Sequence, residues 1–213
     1  MSILKSIRGA GLAASVLVLA LGGARAEEAA GSAEALVESA TVQTIDAIRN
    51  DKAVQAGDFA RLQKIVDERV VPHIDFDRMT RLSVGKSWRA ASEAQRKALV
   101  EQFRLLLLHT YSNALAKVND HKVRMLASRP SQRPDETIVR TQVVPSQGEP
   151  ISLDYRAEKI GSEWKIYDIS VLGVWLVENY RNEFSEIVSR DGVDGLVKTL
   201  VEKNRAFSAS KAG

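Results

Sequence analysis

The hydrophobic side chains of this 213-residue chain change their spacing twice along the sequence. Between residues 33 and 118 they recur every three or four positions, which is typical of amphipathic helices. From His121 to Val171 they alternate with polar side chains, which is typical of strands that bury one face. From Val177 onward the helical spacing returns. Because the strands follow one another without intervening helices, the pattern predicts an α+β fold.

The helical first half contains start and stop signals for four helices. Asp58 and Asp75 are suited to cap two of them, and Ser92 with Gln95 forms a capping box before the longest. The longest helix carries apolar side chains on two faces, so we expect other elements to cover it on both sides. The predicted helices span Ala33–Asn50, Phe59–Val71, Asp75 to Gly85, and Glu93 to about Val118.

The alternating segment predicts about four strands joined by short turns. Short connections favour an antiparallel meander with one apolar face. We therefore predict a curved antiparallel sheet with several helices packed on one face. Two helices are expected in the tail, one through Val177–Val188 and one from Val193 to about Arg205. The predicted strands run through 123–127, 137–144, 151–158 and 163–171.

The first 26 residues have the layout of an export signal. Lys5 and Arg8 precede the apolar run Gly11–Leu21, and Ala24–Ala26 is a small-x-small triplet. The apolar run is half of the ~20 residues that a membrane-spanning helix needs. We predict a cleaved signal peptide at 1–26 and one domain at 27–213, with room for a small helical lobe. An uncleaved amphipathic helix is the alternative.

The net charge of +3 belongs to that first segment. The chain has 30 lysine and arginine residues against 27 acidic ones, and three of the basic residues precede the first acid, Glu27. The remainder is therefore formally neutral, with both signs interspersed. This distribution argues against nucleic acid as a partner and against general adhesion to anionic membranes. The absence of cysteine excludes disulfides and a lipidated cysteine.

Signals for catalysis or metal binding are weak. His73, Asp75 and Asp77 alternate as metal ligands can, but a helix cap and a first-turn acid account for the two aspartates. Asp154 and Asp168, on predicted strands, are the candidate acid and base of a secreted enzyme. We predict no metal, no cofactor and no enzymatic activity.

Five segments form a recognisable combination: 71–76, 85–89, 164–169, 177–184 and 194–196. Together they resemble the toluene-tolerance family of periplasmic proteins, which includes the Mla-pathway carrier MlaC. They cover essentially the whole chain after the export signal. One departure is Trp175, where the family usually has serine. A serine could cap the following helix, whereas tryptophan cannot accept a hydrogen bond from the backbone.

The resemblance implies a periplasmic carrier that holds a phospholipid by its acyl chains in an apolar cavity, and alternate docking on two membranes would favour a monomer. It implies transfer between an outer-membrane lipoprotein–porin complex and an inner-membrane MCE-protein/ABC transporter complex, which maintains outer-membrane lipid asymmetry. Fourteen apolar or aromatic residues are the predicted lining, and ordinary core is the alternative for each. They are Met79, Leu82, Leu105, Leu108, Tyr111, Met125, Val139, Leu153, Tyr155, Trp164, Ile166, Val174, Val177 and Tyr180.

Lys86 and Arg89, beside Trp88, are predicted to meet the lipid head group or a docking partner. Two other functions stay open on the sequence. A secreted α+β enzyme would need an acid and a base in its pocket. A periplasmic protein-binding adaptor would have a filled core and no cavity.

Overall fold

The first half of the chain is helical, as its hydrophobic spacing predicts. The computed structural model describes residues 31–212, apart from the side chains of residues 119 and 210–212, so the predicted signal peptide lies outside the described residues. The helices of this half are α1 (Ala33–Asn50), α2 (Lys52–Gln55), α3 (Phe59–Arg69), α4 (Phe76–Val84) and α5 (Glu93–Leu115).

The predicted helix starts are confirmed by their hydrogen bonds. The Asp58 carboxylate accepts from the Arg61 amide, and the Asp75 carboxylate accepts from the Arg78 amide at 2.8 Å. Both bonds of the capping box that Ser92 begins are formed before α5. These side chains satisfy backbone donors that the first turn of a helix leaves unpaired. Gly85, with φ of +67°, ends α4.

The alternating segment forms an antiparallel sheet whose strands lie in chain order. The α+β prediction is thus confirmed, with five strands among residues 31–212 in place of about four. The additional strand has only two residues, too few to produce an alternating pattern. Register shifts in the first and third strand pairs bend the sheet. The strands are β1 (Lys122–Pro130), β2 (Glu136–Val144), β3 (Ile151–Ile160), β4 (Glu163–Val171) and β5 (Val174–Trp175).

The tail folds as one helical stretch, α6 (Leu176–Ala212), where the sequence predicts two helices. Gly192 has a φ of +71° and kinks the stretch, so the two predicted helices meet at a single non-helical residue. Glycine reaches this conformation without the clash that a Cβ would cause. Within residues 31–212, no helix is long and apolar enough to cross a membrane.

The largest apolar cluster, here called the helical core, lies between α4, α5 and α6. The Phe103 ring meets Phe184 edge to face, with ring centroids 5.2 Å apart, and Tyr180 in the same way at 4.9 Å. Both phenylalanines are fully buried. Helix α5 thus buries one of its two apolar faces here. Other buried members of the core include Met79, Leu99, Leu106, Val177, Leu196 and Leu200.

Candidate functional site, an apolar cavity

The second apolar face of α5 lines a cavity of about 970 Å³. The cavity lies between the inner face of the sheet and helices α1, α4 and α5, and its volume is at the upper end of the range of small-molecule sites. Nearly all of its deep wall is aliphatic or aromatic. The sheet contributes Val143, Ile151, Leu153, Tyr155, Ile166, Ile169 and Val171, and the helices contribute Val37, Ile45, Met79, Leu107, Leu108, Tyr111 and Leu115.

Helix α1 brings two threonines to the cavity wall without exposing unpaired hydroxyls. The Thr41 hydroxyl donates to the carbonyl of Val37 and the Thr44 hydroxyl to that of Ala40, both at 2.7 Å. Since each hydroxyl is bonded back to its own helix, the wall stays compatible with an apolar ligand. Burial raises the pKa of the Tyr155 hydroxyl, against hydrogen bonds with Thr41 and Thr141 that lower it. Tyr155 therefore stays uncharged at neutral pH.

Exposed polar residues gather at one end of the cavity and form what we call the rim: Lys117, Asp120, Ser146, Gln147 and Glu149. Asp120 accepts hydrogen bonds from the hydroxyl and the backbone amide of Ser146, and its carboxylate lies 2.7 Å from Nδ1 of His121. The hydrogen bond from the Ser146 hydroxyl is the main reason that the pKa of Asp120 is lowered. These contacts join the end of the α5 region to the β2–β3 connection across the rim.

Other polar lining residues are paired or neutral. Arg104 forms an ion pair with Asp67. Burial, followed by the charge of Lys165, lowers the pKa of His73, so its imidazole is neutral at physiological pH. The charged head of an amphiphile would therefore meet polar side chains at the rim, whereas its apolar part would meet the aliphatic and aromatic side chains of the deep wall.

The structure separates the three residues that the sequence offers as metal ligands. His73 lines the cavity, Asp75 caps α4, and Asp77 lies in the first turn of that helix. Among the described residues, no group of three or more histidine or acidic side chains could hold a metal ion.

Six of the fourteen predicted lining residues lie in the cavity wall: Met79, Leu108, Tyr111, Leu153, Tyr155 and Ile166. They come from α4, α5 and the inner face of β3 and β4. Their contact with a ligand stays a prediction, and the structure shows that these elements surround one space.

The other eight predicted lining residues lie elsewhere. Val177 and Tyr180 belong to the helical core, and Leu82 packs against it. Three residues, Met125, Val139 and Trp164, pack in a second cluster between α1 and the sheet. Leu105 is half-buried and Val174 is exposed. All eight have the right spacing and polarity, because a cavity wall and a filled core use the same side chains.

Lys86 and Arg89 are exposed on a short 3₁₀ turn, Gly85–Arg89, that follows α4. Neither side chain lines the cavity. The predicted contact with a head group or docking partner stays a prediction.

The two candidate catalytic carboxylates lie on the sheet face opposite the cavity. Asp154 alternates with Leu153 and Tyr155, which line the cavity. Its Oδ1 lies 3.7 Å from Nε of Arg140. Asp168 is fully buried, yet its oxygens accept from Arg156 at 2.8 Å and from the amides of Ile169 and Val177. An enzyme that used either residue on a ligand in this cavity would have to act through the sheet.

The hydrogen bond from the Val177 amide also shows how α6 can begin without a serine at position 175. The sequence predicts that α6 lacks the cap that a serine at 175 would supply. In the structure, the buried Asp168 carboxylate accepts from the first turn of α6 at 3.0 Å. Trp175 stacks on Arg156, whose guanidinium carbon lies 3.9 Å from the ring centroid. The helix start is thus capped from the sheet.

Sequence reasoning missed the contribution of α1 and of the rim. The α1 stripe was visible as helical spacing, but nothing in it distinguishes a wall from a core. One available signal was its small and hydroxylic content, Ala40, Thr41 and Thr44, which leaves space beside the helix. The rim is a connection between strands, and its partners in space are set by the fold.

Comparison with known proteins places the chain in a family. The family model described as MlaC protein matches residues 38–202. Two curated relatives are the "Intermembrane phospholipid transport system binding protein MlaC" of Haemophilus influenzae, 22% identical over 142 residues, and "Toluene tolerance protein ttg2D" of Pseudomonas putida, 28% identical over 132. These matches cover 65% and 61% of this chain, and 66% and 60% of the relatives, which is less than two thirds of the length of each relative.

A solved structure is similar over a longer stretch. It is the phospholipid-binding protein from Ralstonia solanacearum in complex with a phospholipid, 36% identical, with a TM-score of 0.79. The likeness covers 83% of this chain and 99% of that one. The resemblance predicted from the sequence is therefore confirmed: the chain belongs to the MlaC family.

Proposed function

We propose that this protein is a phospholipid carrier that shields the acyl chains of its cargo in the cavity between sheet and helices. The observation that carries the proposal is the 970 Å³ space with an apolar deep wall and a polar rim at one end. That division matches the division of a phospholipid into tails and head group. The Ralstonia solanacearum relative solved with a phospholipid supports the same function.

The free energy of transfer explains why such a carrier is needed. Burying ~30 methylene groups at about 0.8 kcal/mol each is worth roughly 24 kcal/mol, so a phospholipid does not cross water unaided. The cavity replaces the membrane interior for the tails, while the head group stays at the rim. No residue has to recognise a particular head group for this exchange to work.

The carrier would act in the periplasm after removal of residues 1–26, as a single domain spanning 27–213. We propose that it moves glycerophospholipid between an outer-membrane lipoprotein–porin complex and an inner-membrane MCE-protein/ABC transporter complex, and so maintains outer-membrane asymmetry. Membership of the MlaC family supports this assignment. A monomer suits alternate docking on two membranes. The phospholipid is cargo, and the proposal includes neither catalysis nor a cofactor.

The alternative of a protein-binding adaptor requires a filled core, which the cavity does not favour. The decisive test is extraction of gently purified protein with organic solvent, followed by mass spectrometry. We expect phospholipid in stoichiometric amount. Reproducible absence of phospholipid from folded protein would refute the carrier function.

A further inference from the structure

The turn between β4 and β5 has a leucine in a conformation that leucine disfavours. Leu172 has a φ of +53° and Gly173 a φ of +87°. Positive φ at both central residues of a two-residue hairpin turn favours asparagine or aspartate followed by glycine. Among the described residues, Leu172 is the only non-glycine residue with positive φ. The glycine fits this turn, whereas the leucine strains it.

The same turn exposes apolar side chains to solvent. Leu172 is 67% exposed and Val174 is 55% exposed. The leucine therefore neither relaxes the backbone nor fills the core. Strain that local structure does not compensate points to a contact outside the folded chain.

The turn lies at the rim end of the cavity. The Leu172 amide donates to the carbonyl of Ser152 at 3.0 Å, and Ser152 is three residues after Glu149 of the rim. The residue before the turn, Val171, lines the cavity, and so does Leu176 after it. An apolar surface thus continues from the exposed turn into the cavity wall.

The turn is also uncharged. No charged residue occurs from Val171 to Val177, and Trp175 follows the exposed pair. Aliphatic side chains next to a tryptophan are suited to the boundary between lipid head groups and acyl chains. A docking site for an acidic or basic protein surface would need charges that this segment lacks.

We infer that the Leu172–Val174 turn inserts into the surface of a phospholipid bilayer while cargo passes between the bilayer and the cavity. The inference rests on the proposed function. Two aliphatic side chains form a small anchor, so the contact is brief, and the carrier leaves the membrane after each exchange.

The test compares Leu172→Asn with a matched control, Ile160→Asn. Asparagine accepts positive φ, so Leu172→Asn should keep or raise the melting temperature. Ile160 is 51% exposed beside the β3–β4 turn, at the opposite end of the sheet. The measurement is transfer of a fluorescent phospholipid between phosphatidylcholine vesicles, which carry no net charge. No other protein is present.

We expect Leu172→Asn to slow transfer about tenfold or more, the factor that corresponds to burial of one leucine side chain. Ile160→Asn should transfer at the wild-type rate. Both variants should retain the phospholipid found by mass spectrometry in the wild type. Leu172→Gly removes the same side chain and provides a second variant if asparagine impairs folding.

A Leu172→Asn or Leu172→Gly protein that transfers lipid at the wild-type rate would overturn the inference. It would leave the carrier function standing and make a partner protein the alternative contact. Equal slowing by Ile160→Asn would also overturn it, because the effect would then be unrelated to the rim. Wild-type protein without phospholipid would instead refute the carrier function itself.

Discussion

The helical core and the cavity share helix α5 and are built from the same kinds of side chain, yet one is filled and the other is open. On one face of α5, Leu99 and Phe103 are fully buried in a cluster with side chains of α6. On the other face, Leu108 and Tyr111 line the cavity. Hydrophobicity drives both faces away from water, but it does not decide which face finds a partner.

The difference lies in how the surrounding elements are held. In the core, aromatic rings interlock edge to face, and the helices can approach until the rings touch. Around the cavity, polar contacts fix the sheet relative to α4. The Arg78 guanidinium binds Glu136 and Glu158 and lies 3.6 Å from the centroid of the Tyr167 ring. These contacts can hold the wall in place without filling the space behind it.

Truncation of one side chain in each region should distinguish the helical core from the cavity wall most clearly. We expect Phe184→Ala, in the core, to lower the free energy of unfolding by about 3–5 kcal/mol, because it leaves a void among fully buried neighbours. Leu153→Ala, in the cavity wall, should cost only about 1–2 kcal/mol in lipid-free protein, since its side chain already borders open space. Urea unfolding measures both. Equal losses would contradict the distinction.

Enlargement of a side chain should also cost more stability in the core than in the cavity wall. Leu99→Trp inserts bulk into a filled core and should cost about 1–3 kcal/mol. Leu153→Trp should cost less than about 1 kcal/mol, since the cavity accepts the ring, and it should abolish bound phospholipid. Unfolding curves and mass spectrometry of extracted lipid are the two measurements. If Leu153→Trp unfolds the protein, Leu153 belongs to a filled core.

The pH dependence that Asp168 contributes, where it joins the sheet to α6, should be the smallest of these effects. Burial raises the pKa of this carboxyl above its ordinary value of 3.8, although the Val177 amide and Arg156 oppose the shift. Because the pKa is raised in the folded state, the protonated carboxyl stabilises the fold. This stabilisation is fully present below the ordinary pKa and is lost as pH rises through the folded-state pKa. The stability of wild type relative to Asp168→Asn should therefore increase as the solution is acidified.

Urea unfolding of both proteins from neutral pH down to about pH 4 measures this difference. If the stability of wild type relative to Asp168→Asn instead falls on acidification, the ion pair with Arg156 outweighs the effect of burial on this pKa. Asp168→Ala is the control for the cap, since it removes the acceptor of the Val177 amide and should cost about 1–2 kcal/mol.

Much of the fold could be predicted because its signals are local. Ser92, Asp58 and Asp75 begin helices by accepting hydrogen bonds from amides three residues away, and the alternation in β3 needs only its own residues. The two-residue β5 escaped prediction because its pairing with β4 depends on the Leu172–Gly173 turn. The cap of α6 escaped it because Asp168 reaches Val177 from a neighbouring strand.

The candidate site could be predicted only in part, for a similar reason. Tyr155 and Tyr180 are both aromatic residues in apolar stripes, yet the first lines the cavity and the second packs on Phe103. By itself, the sequence determined the order of helices and strands, their caps, the neutral charge after the first 26 residues and the resemblance to a family. Only the tertiary structure decided which apolar face stays open, because a side chain is core or cavity wall according to what lies opposite it in space.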